Sequence, residues 1–168
     1  DNIDFIGRYA CWSREWKTEK VIDEAIRFSG RNKRINWDDY FMGVAHLIKE
    51  RATCLRKKVG AVIVDKKNCI IASGYNGAPR GMEHCLDVGC LIRESPDGKR
   101  NCIRVVHAEM NAMLQSGFNA EDGVIYTTVL PCEACFKLII QLGIKRIVFD
   151  GETENYNHTT LQYWIDNS

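Results

Sequence analysis

Apolar residues recur at helical spacing between residues 36 and 52. They follow Asn36, a good N-cap residue, and they are Trp37, Tyr40, Phe41, Val44, Leu47 and Ile48. This pattern predicts a helix whose apolar side packs on the core. Two apolar runs follow at 59–64 and 69–73, and the polar residues 65–68 between them predict a β-hairpin.

In the next segment, "GYNGAPRG" at 74–81, Gly and Pro interrupt both the helical and the strand spacing of apolar residues, which predicts a loop. We expect residues 85–102 to be irregular as well. Helices are then predicted at 107–116 and 132–141, and strands at 124–129 and 146–149. Strands that alternate with helices in this way indicate an α/β fold.

The first 35 residues stand apart from this alternation. A stripe of apolar residues between Thr18 and Gly30 predicts a short amphipathic helix, and its members are Val21, Ile22, Ala25 and Ile26. We therefore divide the chain into an N-terminal extension with a helical arm, residues 1–35, and a main domain, residues 36–168. The extension is expected to pack on its own subunit or on a neighbour, and a regulatory or substrate lid is the alternative.

The composition restricts the possible classes of protein. The 168 residues suffice for one domain with its own core. No apolar stretch approaches the roughly 18 residues of a membrane span and no signal-peptide pattern is present, so we expect no membrane partner and a cytoplasmic protein with reduced cysteines. Lys plus Arg (23) and Asp plus Glu (22) nearly balance, which argues against a nucleic-acid partner and leaves a small anionic ligand possible.

Two cysteines lie three positions apart in "LPCEACFKLI", residues 130–139. With Pro131 in the first turn of the predicted helix, Cys132 and Cys135 share one helix face, and both sulfurs can reach one ion. The positive end of the helix favours thiolates, the form that binds metal. A redox pair has the same geometry, so this motif alone leaves both roles open.

A second motif, "VVHAEMNAM" at 105–113, places His107 and Glu109 at the start of the preceding helix. The N-termini of the two helices can converge at one end of the sheet. One histidine and two thiolates would supply three zinc ligands and leave a position for water, as in catalytic zinc sites. Glu109 does not share a helix face with His107, so we expect it beside the water as a proton shuttle. The alternative is an ordinary pair of residues at a helix start.

These two motifs together, His107-Ala108-Glu109 and the segment 131–135, resemble the zinc-dependent deaminase superfamily. Within it, "TCLRKKVGAVIVD", "SGYNGAPRGMEHC" and "CIRVVHAEMNA" resemble the deoxycytidylate (dCMP) deaminase family, over residues 37–149. The resemblance implies a three-layer αβα fold, cytidine deaminase-like, with a mixed central sheet of about five strands. It also implies zinc-dependent hydrolysis of dCMP to dUMP and ammonia, which would supply dUMP for thymidylate synthesis.

The resemblance further implies which residues contact the substrate. Asn76 is expected to reach a sugar hydroxyl, with a purely structural role in a turn as the alternative, and Tyr126 and Ala108 are further pocket residues. The contact to the phosphate stays open among six cationic residues: Arg56, Lys57, Lys58, Arg80, Arg93 and Arg104.

Four further cysteines, Cys54, Cys85, Cys90 and Cys102, lie in the segments that resemble the microbial and phage branch of the family. There a second zinc is held beside the active site, and four thiolates would form a closed structural site. The alternatives are scattered free thiols, or His84 in place of one ligand. Cys69 alternates with apolar neighbours and is expected in the core, whereas Cys11 has no predicted role.

Regulation and assembly are also implied by the resemblance. We expect activation by dCTP and inhibition by dTTP, with Mg²⁺ on the bound triphosphate near Gly74, Tyr75, Asn76 and Gly77, in a homo-oligomer that is a hexamer. Some relatives are not regulated, and one branch also accepts dCTP as substrate. The alternatives are therefore a bifunctional dCMP/dCTP deaminase, a nucleic-acid (tRNA) deaminase and a zinc-stabilised binding module.

Overall fold

The structure is a computed structural model that describes residues 4–9, 34–96, 98 and 100–150. The predicted amphipathic helix and Cys11 lie outside these residues. In the described part the strands are β1 (Asp4–Tyr9), β2 (Gly60–Val64), β3 (Ile70–Tyr75), β4 (Ile92–Glu94), β5 (Arg100–Cys102), β6 (Val124–Thr127) and β7 (Arg146–Asp150). The helices are α1 (Trp37–Lys49), α2 (Cys85–Val88), α3 (Ala108–Ser116) and α4 (Glu133–Gln141), and a 3₁₀ turn, Gly117–Ala120, follows α3.

The central sheet has the strand order β1-β7-β6-β2-β3. β1, β7 and β6 run parallel, whereas β2 is antiparallel to both of its neighbours. The prediction of a mixed sheet of about five strands and of the hairpin β2–β3 is confirmed. β1 lies in the predicted N-terminal extension, where the sequence pattern predicts no strand, and it pairs with the open edge of β7 from Asp4↔Arg146 onwards.

Helices cover both faces of this sheet, so the predicted three-layer αβα fold is confirmed. On one face α3 and α4 pack through residues such as Ala112 and Phe136. On the other face α1 packs against Val62 and Val64 of β2. All five residues of β2 are buried, as is typical of a strand covered on both sides.

Helix α1 begins where the sequence predicts, but only part of its predicted apolar face is buried. Asn36 is its N-cap, as predicted, because its side-chain oxygen accepts the Asp39 N–H at 2.8 Å. The buried residues of the helix are Phe41, Met42 and Ala45, whereas Trp37, Tyr40 and Leu47 are exposed by 48, 43 and 62%. The expectation that these last three face the core is therefore wrong. The helix lies so close to β2 that a Cβ on Gly60 would collide with the Ala45 carbonyl oxygen, which leaves room for a narrow stripe only.

Three local predictions need correction. Residues 85–102 are not irregular throughout, because they contain α2 and the antiparallel ribbon β4–β5. β3 extends to Tyr75, so Gly74 lies in a strand, where a Cβ would collide with the Ala108 carbonyl oxygen of α3. Cys69 is exposed rather than in the core, since it precedes β3 and donates its N–H to Asp65 in the hairpin turn at 2.8 Å.

Within the described residues, none of the helices combines the length and the apolar character that crossing a membrane requires.

Candidate metal centre and active site

The first candidate ligands are N-cap residues. His107 precedes α3 and Cys132 precedes α4, both with extended backbone. The expectation that Pro131 lies in the first turn of the helix is wrong, because the helix begins two residues later, at Glu133. Cys135 lies in that first turn, three residues after the N-cap Cys132. The side chains at these two helix positions are close to each other, as they are in a capping box. The predicted convergence of the two helix starts is confirmed.

The three donor atoms lie together in a first cluster, formed by His107, Cys132 and Cys135, within 4.8 Å of one another. The Nδ1 atom of His107 is 3.4 Å from Cys132 Sγ and 3.5 Å from Cys135 Sγ. Zinc–sulfur and zinc–nitrogen bonds of about 2.3 and 2.0 Å at a tetrahedral angle place such a nitrogen and sulfur about 3.5 Å apart. The residues therefore fit a zinc ion with three protein ligands.

The two sulfurs of the first cluster differ in acidity. Hydrogen bonding from the Cys135 thiol, together with His107, outweighs burial and lowers the pKa of Cys132 to about 4. Because Cys135 is the donor of this hydrogen bond to Cys132, and because it is buried, its pKa is raised. Cys132 is therefore the more acidic of the two thiols, and a bound divalent cation would favour deprotonation of both.

Glu109, the second residue of α3, is only 3% exposed. Burial raises the pKa of its carboxyl above the usual range, although the charge of His107 partly opposes this. A carboxyl group in a buried position holds its proton more readily than an exposed one does. Glu109 lines the cavity beside the first cluster, and its role as a proton shuttle stays a prediction.

A cavity of about 710 Å³ opens beside this cluster and is lined by His107, Ala108, Glu109 and Cys132. Asn76 also lines it, and the predicted contact of Asn76 and Ala108 with the substrate stays a prediction. Apolar residues, Val59, Val105, Val129 and Leu130, complete its wall together with Asn101. Val59, Val105 and Leu130 lie within the quoted segments and Val129 and Asn101 do not, but no residue type or spacing marks any of the five as a pocket residue.

Tyr126, in contrast, does not line this cavity. Its ring packs on Phe41 on the α1 face of the sheet, and its hydroxyl donates to Asp38 at 2.9 Å. Arg146 donates to both oxygens of Asp38, at 2.7 and 2.6 Å. Burial and the bond to Asp38 raise the pKa of Tyr126. The expectation that Tyr126 contacts the substrate is corrected, because the strand alternation turns it to the opposite face.

Asn76 is 6% exposed and binds the backbone of the neighbouring segment. Its Oδ1 accepts the Val59 N–H at 2.8 Å, and its Nδ2 donates to the Lys57 carbonyl at 2.7 Å. One N–H and one lone pair of the amide are left by these two bonds. Asn76 therefore holds residues 57–59 in place and retains the capacity to contact a ligand.

The rest of the "GYNG" segment fixes the start of α3. The Tyr75 carbonyl accepts from Asn111 Nδ2 at 2.8 Å, and Gly77 exchanges backbone hydrogen bonds with Val106 at 3.2 and 2.9 Å. These contacts give Tyr75 and Gly77, like Gly74, a structural role beside the first cluster. The predicted effector role of Gly74, Tyr75, Asn76 and Gly77 stays a prediction.

A second cluster consists of Cys85, Cys90 and Cys102, whose sulfurs lie within 4.8 Å of one another. Cys85 Sγ and Cys102 Sγ are 3.7 Å apart, which is close to the roughly 3.8 Å expected for two sulfurs on one tetrahedral zinc. Burial, with the neighbouring Cys102, raises the pKa of the Cys85 thiol to about 11.

The structure does not bring the predicted fourth ligand, Cys54, into the second cluster; Cys54 lines the cavity together with Cys102. The ring of His84 lies in the same region, with Nδ1 3.2 Å from Thr53 Oγ1. The four-cysteine site is therefore corrected to a three-cysteine cluster. Cys54 and Cys102 lie 48 positions apart, a separation at which sequence spacing carries no geometric information.

Comparison with known proteins identifies the class. Residues 35–150 match the family described as the cytidine and deoxycytidylate deaminase zinc-binding region. This chain belongs to that family. The family resemblance predicted from the two ligand motifs is thereby confirmed.

Particular members of the family are similar over most of the chain. ComE operon protein 2 of Bacillus subtilis is 45% identical over 129 residues, which are 74% of this chain and 65% of that protein. Deoxycytidylate deaminase of Schizosaccharomyces pombe is 39% identical over 132 residues, which are 75% of this chain and 40% of that enzyme. The chain thus spans less than two-thirds of the length of these two relatives.

A solved structure is also similar, the dCMP deaminase of cyanophage S-TIM5 in complex with dCMP and dUMP. It superposes with a TM-score of 0.62 and 29% sequence identity, over 79% of this chain and 95% of that one.

Proposed function

We propose that this protein catalyses the zinc-dependent hydrolytic deamination of dCMP to dUMP and ammonia. The observation that carries the proposal is the buried carboxyl of Glu109 beside the first cluster, in a cavity that a nucleotide can enter. A closed structural metal site has no use for such a carboxyl, which argues against a zinc-stabilised binding module. The dCMP and dUMP bound by the cyanophage enzyme support the choice of substrate.

Zinc would be held by His107 Nδ1, Cys132 Sγ and Cys135 Sγ. Bound there, Zn²⁺ would supply a Lewis acid that makes a water molecule acidic enough to attack at neutral pH. The lowered pKa of Cys132 fits this role, because thiolates are the form of cysteine that binds the ion.

Glu109 would move the protons of the reaction. It accepts a proton from the attacking water and delivers it to N3 of the cytosine ring, then takes the second proton from the new C4 hydroxyl and passes it to the departing amino group. A C4–O bond forms and the C4–N bond breaks, so dCMP and water give dUMP and ammonia. Ala108 and Asn76 would hold the nucleotide, with the remaining amide N–H of Asn76 directed to the sugar.

The proposal extends to the second cluster and to regulation. A structural zinc would be held by Cys85, Cys90 and Cys102. By resemblance to the family, dCTP with Mg²⁺ would activate and dTTP would inhibit a hexameric enzyme, whose dUMP would serve thymidylate synthesis.

The test is an ammonia-release screen of the zinc-loaded protein over dCMP, dCTP, CMP, deoxycytidine and cytosine, with and without dCTP and dTTP as effectors. We expect dCMP to have the highest kcat/KM. Comparable turnover of dCTP would identify a bifunctional dCMP/dCTP deaminase instead. Absence of ammonia release from every cytosine compound would refute the proposal.

A further inference from the structure

Helix α3 carries an asparagine, Asn111, as its fourth residue. Asparagine is a weaker helix former than leucine, methionine or glutamine, because its short polar side chain competes for backbone hydrogen bonds. The side chain of Asn111 is half-buried, and its Nδ2 donates to the Tyr75 carbonyl of β3 at 2.8 Å. Asn111 therefore serves a contact between α3 and β3 rather than the helix itself.

The carbonyl that accepts this hydrogen bond belongs to the peptide group that joins Tyr75 to Asn76. The N–H of the same peptide group, on Asn76, donates to the Val59 carbonyl at 3.2 Å. The carbonyl of Asn76 in turn accepts the Thr53 N–H at 3.1 Å. Both peptide groups that flank Asn76 are thus hydrogen-bonded, which fixes the direction in which its side chain leaves the backbone at the cavity wall.

The other end of the contact is the helix that carries the catalytic carboxyl. Asn111 lies two residues after Glu109 in α3, so the two residues move as one rigid unit. A Cβ on Gly74 would collide with the backbone of Ala108 and Ala112, which means that α3 and β3 touch without a side chain between them. This close approach sets the distance between the helix and the strand, and the hydrogen bond from Asn111 sets their register.

We infer that Asn111 is a positioning residue of the reaction, which fixes the carboxyl of Glu109 relative to the amide of Asn76. This inference rests on the proposed function, in which Glu109 transfers protons at the base and Asn76 holds the sugar. Because base and sugar are joined by one bond, a shift between the two contacts displaces C4 from the attacking water. A displacement of about 1 Å can cost about 100-fold in rate.

The first experiment compares kcat, KM for dCMP and zinc content in the wild type, Asn111→Ala, Asn111→Asp and Gln115→Ala. Asn111→Asp keeps the shape of the side chain but turns an oxygen, instead of the N–H donor, towards the Tyr75 carbonyl. We expect kcat/KM to fall about 10- to 100-fold in both Asn111 variants, more through kcat than through KM, at unchanged zinc content. Gln115→Ala, at an exposed position of the same helix, should stay within about two-fold of wild type. A lower melting temperature with wild-type kcat at low temperature would overturn the inference.

A double-mutant cycle tests whether Asn111 acts through Asn76. In an Asn76→Ala background, Asn111→Ala should lower kcat/KM by less than about two-fold, because no amide is left to position. Asn111→Asp takes its place in the cycle if Asn111→Ala does not fold. Effects of the two substitutions that multiply would overturn the inference.

The same cycle, measured by calorimetry as affinity for dUMP, separates this inference from the proposed function because it needs no turnover. Coupling between Asn111 and Asn76 in a wild type that binds dUMP but releases no ammonia from dCMP would refute deamination and support the positioning of Asn76. Ammonia release by the wild type, with independent effects of the two substitutions on kcat/KM and on dUMP affinity, would support deamination and overturn the positioning role.

Discussion

The two clusters have similarly spaced donor atoms but lie in different surroundings. The first cluster lies at the N-termini of α3 and α4, two helices of nine residues each that pack on the central sheet. The second lies between the four-residue helix α2 and the ribbon β4–β5, whose strands have three residues each. All of β4 is exposed, and Cys85 is the buried residue of α2.

This difference indicates that a metal ion would have a different role in each cluster. The residues around the first cluster are held by the core, so a metal there is free to serve chemistry beside Glu109. The ribbon around the second cluster has little core of its own, and metal–thiolate bonds would replace the packing that it lacks. Spacing of ligands alone therefore does not separate a catalytic from a structural site.

The strongest effect is expected from Cys132→Ser. It removes a ligand of the first cluster, so activity should be abolished, while the melting temperature changes little because α4 stays packed through Phe136 and Ile139. Ammonia release and calorimetric melting check both statements. Cys69→Ser is the control, since Cys69 is exposed and belongs to neither cluster. An active Cys132→Ser enzyme would contradict the assignment.

Glu109→Gln should lower kcat by about 10²- to 10⁴-fold, because an amide can neither accept nor return the proton. Zinc content should stay at the wild-type value, since Glu109 is not a ligand. The control Glu133→Gln changes a carboxylate in the first turn of α4 that pairs with Lys137 on the exposed surface. More than about a tenth of the wild-type kcat in Glu109→Gln would show that it is not the shuttle.

Cys90→Ser should lower the melting temperature while leaving the catalytic activity unchanged. Apparent binding free energies of structural zinc reach about 10 kcal/mol, and a loss of only about 2 kcal/mol lowers Tm by roughly 4–8 °C in a domain of this size. Activity at low temperature should be retained. An unchanged Tm, with Cys69→Ser as reference, would mean that the second cluster is a group of ordinary thiols.

The smallest effect is expected from Tyr126→Phe, which removes the hydroxyl bonded to Asp38. We expect a loss of about 1 kcal/mol in the free energy of unfolding and no change in KM for dCMP, because Tyr126 lies on the α1 face. Urea denaturation and steady-state kinetics provide the two readouts. A raised KM for dCMP would indicate that Tyr126 contacts the substrate after all.

The first cluster and Glu109 could be predicted because the information is local. The motifs at 107–109 and 131–135 fix which residues begin two helices, and an α/β sheet brings such helix starts together. The sequence placed Pro131 in the first turn, whereas the helix begins two residues later, yet this error moved neither sulfur away from His107.

Long-range features could not be predicted in the same way. Which sheet face Tyr126 points to depends on the register of β6, and the position of Cys54 depends on the course of the loop after α1. Local sequence spacing encodes neither. β1 is a strand because β7 leaves an edge open to pairing, and "DFIGRY" alone has no clear alternation. Trp37, Tyr40 and Leu47 share the period of the core residues of α1, but the close contact of that helix with β2 excludes them.

The most direct test of separate roles for the two clusters is the zinc content per chain, by elemental analysis, of the wild type, Cys90→Ser and Cys132→Ser. We predict two zinc ions in the metal-loaded wild type and one in each variant, with dCMP deaminase activity retained by Cys90→Ser and lost in Cys132→Ser. One zinc ion per wild-type chain, unchanged by Cys90→Ser, would contradict the account.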